Sequence, residues 1–195
     1  LTENNGSNEL LIGFGDWFSM LGENNASTLI FTDNFTTIGA SVKNAMNVLD
    51  ELRDTIIAYD RRIIGGCSVG GKKALFTTAL MEDKTILTHL VIISGGGIGA
   101  ALGTVVGICG ETAHALTLPS RHLDWFRNKD EVARIPSFGT PYDMDDVLLN
   151  VVLSGVKVHM YSSVYDLWSN PLGTFGNYLS VQNRLPEDKR PHLTL

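Results

Sequence analysis

The sequence predicts an α/β fold: a mostly parallel central sheet with helices on both faces and a lid-like insertion after the fourth strand. Three observations predict it. Short apolar runs rich in β-branched residues recur along the chain and alternate with segments of helical period. The helical segment between the second and third runs has the length that a crossover between parallel strands requires. A Gly-x-Ser-x-Gly turn sits where one such run passes directly into helix-forming residues. At 195 residues the chain fits one domain, with 44% hydrophobic residues for a substantial core.

Taken in order, residues 1–8 are a polar, Asn-rich lead-in. Glu9–Phe14 is an apolar run ended by Gly15-Asp16, read as a buried strand and its turn. Residues 17–21 suit a helical turn closed by Gly22, and 28–32 a second strand between Asn24-Asn25 and Asp33-Asn34. From Ser41, the expected N-cap, the period becomes helical. Val42, Ala45, Met46, Leu49, Leu52 and Ile56 fall three and four apart, with charged and polar residues on the other faces. Residues 62–67 are the third strand and 71–81 the helix after it. Residues 90–94 form a fourth strand, as apolar as burial on both faces demands.

Residues 111–146, with Pro119, Pro136 and Pro141, read as the lid-like or substrate-facing insertion within a single 1–195 domain. A short helix follows over 145–153, with Asp143, Asp145 and Asp146 at its start, where the helix dipole favours acidic groups. Gly155 breaks that helix, 156–161 is a fifth strand, and Asp166 lies in the loop beyond. A helix over 178–183, a turn at 186–188 and the start of a sixth strand at 192–195 complete the order.

The chemistry concentrates at Gly66-Cys67-Ser68-Val69-Gly70. A strand-to-helix turn this sharp needs small residues two before and two after its apex, because a Cβ there would keep strand and helix apart. The expected outcome is a Ser68 hydroxyl lifted above the sheet edge, with the Val69 amide at the helix start aimed at a developing oxyanion. The bland alternatives are a tight βα loop or a phosphate-cradling turn. Gly95-Gly96-Gly97-Ile98-Gly99 does not keep dinucleotide-binding spacing and has no acidic ribose partner downstream, so no cofactor is implied.

Composition excludes further classes. A formal charge of −6, from 15 basic and 21 acidic residues, argues against a nucleic-acid surface. Cys67 and Cys109 make no disulfide framework in a chain this long and have no Cys or His partners at metal-ligand spacing, so reduced thiols and no metal are expected. No apolar run reaches membrane-spanning length and no basic-then-apolar segment opens the chain, which places the expectation in the cytoplasm. The first residue is Leu, as in a processed product or a piece of a longer polypeptide.

With these residues in view, the chain resembles the α/β-hydrolase family. Leu10-Leu11-Ile12-Gly13-Phe14-Gly15-Asp16 is similar to the family's early strand with its His-Gly-Phe-Gly turn, Ile12 standing where many members have His. By that match the Phe14 amide joins the Val69 amide in an oxyanion hole. The segment around Ser68 is similar to the nucleophile elbow, and residues 156–171 to the late strand and acid loop, with Asp166 and Pro171 in matching positions. The resemblance implies a serine hydrolase acting on a small-molecule acyl substrate, Ser68 as nucleophile and Asp166 as triad acid.

The general base is not assigned. In the family it follows the last strand, where this sequence stops, so a downstream segment or partner chain is expected to supply it. His89 and His159 read as core or edge residues, His192 as remote from Ser68, and His114 and His122 as lid residues whose reach to Ser68 is open. The alternative functions are a catalytically degenerate α/β-hydrolase-like structural or interaction subunit, and a nucleotide- or phosphate-binding domain.

Overall fold

The computed structural model describes residues 8–15, 26–32, 38–67, 69–93, 144–163 and 171–195. Its centre is a six-stranded, wholly parallel sheet of β1 (Glu9–Phe14), β2 (Ser27–Phe31), β3 (Arg61–Cys67), β4 (His89–Ile93), β5 (Lys157–Tyr161) and β6 (Leu193–Thr194), in the order β2-β1-β3-β4-β5-β6. Between the strands lie α1 (Ile38–Glu51), α2 (Arg53–Ile57), α3 (Val69–Leu80), α4 (Met144–Leu153) and α5 (Pro171–Arg184). Short 3₁₀ turns at Lys84–Ile86 and Glu187–His192 lead into β4 and β6.

The four crossovers that follow β2, β3, β4 and β5 all step the same way across the sheet. Right-handed crossovers stepping one way lay their helices on one face. The packing agrees, since α3 touches α1 on one side and α4 on the other, and α4 touches α5. The step from β1 to β2 runs in the opposite direction. Its residues, 16–25, and residues 94–143, with most of the expected insertion, lie outside the described residues.

Alternation along the strands separates two surfaces. Leu10, Ile12, Ile64, Leu90, Ile92, Val158, Met160 and Leu193 point to the helices and are buried with Val42, Ala45, Leu49, Leu75, Val151 and Val181 in one core. On the opposite face Glu9, Arg61, His89, Val91, Lys157, His159 and Tyr161 range from half-buried to exposed, while Leu11 is buried with Ala26 against Ile63. Among the described residues no helix is long and apolar enough to cross a membrane.

Several boundaries differ from the sequence reading. Ser41 is no N-cap. The helix begins three residues earlier at Ile38, and Ser41 is buried inside its first turns with an unpartnered Oγ. The single expected helix is two, interrupted at Leu52, although Leu52 N–H still reaches Val48 O at 3.0 Å and Ile56 N–H reaches Leu52 O at 2.9 Å. The end of the expected lid, residues 144–146, is the acidic first turn of α4. The helix expected from residue 178 starts at Pro171, a residue suited to a first helical position because it has no N–H to leave unpaired. Asp145 of α4 accepts a hydrogen bond from Asn177 of α5, both buried, which joins the two helices.

Candidate active site

β1 and β3 are neighbours, but the chain leaves β1 towards β2 and leaves β3 towards β4. In an open parallel sheet this reversal opens a crevice at the carboxyl ends of the two strands, the place where such sheets bind ligands. The elbow sequence falls there. β3 ends at Cys67 and α3 begins at Val69, so one residue, Ser68, separates strand from helix; Ser68 itself lies outside the described residues.

The glycines around it explain how so short a turn is possible. A Cβ on Gly66 would lie 2.4 Å from Gly70 C, 2.6 Å from its O and 2.9 Å from its Cα. A Cβ on Gly70 would lie 2.9 Å from Phe14 O, and one on Gly71 would lie 3.0 Å from Gly66 O and 3.1 Å from Ile92 Cγ2. The first two obstacles are main chain, which cannot rotate away. Gly66 and Gly70 are therefore required by contact, as the spacing of the motif predicts, and Gly71 completes the approach of α3 to β3 and β4. That third glycine had no role in the sequence argument, although its place directly after the motif is the signal that marks it.

Val69 is the first residue of α3, and its amide belongs to the four N–H groups that a helix start leaves without intrahelical acceptors. Phe14 is the last residue of β1, paired with Phe31 on one side and Gly66 on the other, and its ring stacks on Phe31 at 5.1 Å between centroids. Gly15 N–H donates to Phe31 O at 3.2 Å, so the alternation of a parallel ladder turns the Phe14 amide to the β3 side, the side of the elbow. There the ladder pattern offers it the Gly65 carbonyl, an acceptor it must exchange to hold an oxyanion. Gly15 follows at φ +84°, a conformation in which glycine is at ease.

The remaining candidates are dispersed or not described. Asp166, His114 and His122 lie outside the described residues, as do Cys109, Trp17, Trp125 and Trp168. β5, the strand before Asp166, ends on the same carboxyl edge as β3, since Tyr161 is level with Ile93 and Cys67. Cys67 is half-buried.

The three described histidines are away from the elbow. His192 ends the 3₁₀ turn before β6, on the amino edge of the sheet. His89 is level with Ile63, four residues or about 13 Å short of Cys67 at the rise of a parallel strand. His159 is two strands across from β3, and both it and His89 lie on the face away from the helices. Among the described residues no three His, Cys, Asp or Glu side chains gather as a metal ion would require. Comparison of the chain with protein-family models, with curated proteins and with solved structures finds no match.

Proposed function

We propose that the chain is a serine hydrolase of the α/β-hydrolase type that cleaves an ester, thioester or amide through an acyl-enzyme. One observation carries the reading: a Gly-x-Ser-x-Gly segment, with contact-enforced glycines, spans the single-residue step from the third strand to α3 at the switch point of a parallel sheet. In this reading the backbone of the turn, rather than a supporting side chain, would present the serine to the crevice. The Ser68 Oγ bonds to the acyl carbon as its proton passes to a base, and the tetrahedral oxyanion is held by the Val69 amide with that of Phe14. Collapse expels the alcohol, thiol or amine, which takes the proton from the base, and water repeats the sequence on the acyl-enzyme. Asp166 is the group that orients the base. The base itself comes from a residue outside those described, from a downstream segment or from a partner chain.

A second reading has its own support. His89, His159 and His192 all lie away from the elbow, as they would in a scaffold that keeps the turn and has lost the base. Labelling with a fluorophosphonate separates the two. A hydrolase gives one adduct per chain, located at Ser68 by peptide mass and absent from Ser68→Ala, with the variant as stable as the parent. An intact, folded protein that forms no Ser68-dependent adduct overturns the proposal in favour of the scaffold.

A further inference from the structure

The face of the sheet turned away from the helices carries a pair of groups that the proposed hydrolysis does not use. His89 of β4 and His159 of β5 stack with centroids 5.6 Å apart and planes inclined by 13°. Each ring is held at its Nδ1. For His89 the partner is Thr88 Oγ1, at 2.8 Å, and for His159 it is Thr194 Oγ1 of β6, also at 2.8 Å. The stack therefore bridges β4 and β5, and the second hydrogen bond extends it to β6.

The charges around the pair are unbalanced. Among the described residues, Arg61 faces it from β3, Lys157 from β5 and Glu9 from β1, and Glu9 is engaged by the Arg61 guanidinium. A proton on either ring would stand beside two fixed cations and the other imidazole, with one carboxylate already occupied. Desolvation first, then Arg61, His159 and Lys157, push His89 down from 6.5 to about 4, against a smaller opposing effect of Glu9. His159 is lowered by the same desolvation, with Lys157 and Arg61. A metal ion fits this place poorly, because nearly parallel ring planes do not converge on one point and the neighbouring cations repel it.

We propose that the stacked His89–His159 pair is an acid-sensitive latch that holds β5 and β6 to β4 while the rings are neutral and releases that side of the sheet when they take up protons. The unfolded chain binds a proton on His89 near pH 6.5 and the folded chain only at much lower pH. The folded side of the equilibrium is therefore fully favoured above pH 6.5, and loses that advantage progressively as the pH falls through the window to about 4. The cost falls on the strands that carry the pair. β6 is the vulnerable element, since among the described residues it pairs with β5 alone, at Leu193 and Thr194.

Hydrogen exchange on the whole chain, corrected for the intrinsic effect of pH on exchange, tests this. Between pH 7 and pH 4.5 the latch predicts at least a tenfold faster opening of the β4, β5 and β6 amides than of the β1–β2 amides. In the double variant His89→Asn, His159→Asn, which keeps a polar atom near each Nδ1 position and removes both titrating groups, that excess disappears. NMR titration of the two imidazoles in the unmodified chain gives a second measurement that no folding defect can obscure, with His89 expected to titrate well below 6. Equal acceleration across the whole sheet, persistence of the excess in the double variant, or a His89 titration near 6.5 would each overturn the proposal.

Discussion

The two edges of the sheet are built by different means. At the amino edge, polar side chains tie loops to strands. The Arg62 guanidinium donates to three carbonyls, Tyr59 O at 2.5 Å, Ile86 O at 2.7 Å and Thr85 O at 3.2 Å, and so clamps the turn before β3 to the turn before β4. Thr88 Oγ1 accepts from Arg62 N–H at 2.9 Å and lies 3.1 Å from Arg62 O, and Arg53–Asp83, Arg61–Glu9 and Asn8–Asp60 pairs close the same edge. At the carboxyl edge, between β1 and β3, the main chain is brought together by missing side chains at Gly66, Gly70 and Gly71. Among the described residues, hydrogen-bonding side chains hold the amino end, whereas at the elbow the backbones of β1, β3 and α3 come into direct contact.

Four substitutions sharpen this contrast. Gly66→Ala, at the carboxyl edge, is expected to be the most damaging, because its methyl would enter the Gly70 main chain; a loss above about 3 kcal/mol, beyond ordinary overpacking, should appear in urea denaturation. Arg62→Met keeps the apolar stem and removes the clamp. It should cost about 2 kcal/mol, the range for hydrogen bonds from a charged donor, while fluorophosphonate labelling per folded molecule stays at the parent level. If labelling falls with stability, the two edges are not independent. Gly155→Ala, before β5, should be the mildest. Its φ of +100° strains any side chain, yet nothing lies within 4 Å of the new methyl, so about 1 kcal/mol of backbone strain is expected, with Gly15→Ala similar for the same reason.

Much of this arrangement is legible in the residues. β4 reads within one residue because Leu90-Val91-Ile92-Ile93 is apolar on both faces, and the βα turn reads from its glycines. Local pattern misleads where the signal is shared. Ser41 has the chemistry of a cap, but Ile38 to Ala40 are apolar or small and extend the helix past it. Phe175 and Leu179 stay exposed on α5, so the apolar stripe that should announce the helix blurs until Tyr178. Strand order and register are absent from any local pattern, and with them the facts that His89 and His159 meet, that Phe14 backs onto Gly70, and that Arg62 reaches three loop carbonyls. Each depends on residues distant in sequence, whose adjacency is settled by packing.

The contact between positions 66 and 70 carries one implication for lineage. Those two glycines answer to the shape of the bend, so selection for the fold would preserve them whatever residue stands at position 68. Under the proposed hydrolase reading, natural variation at position 68, with its glycine neighbours treated as uninformative, is the way to tell working copies from silent ones.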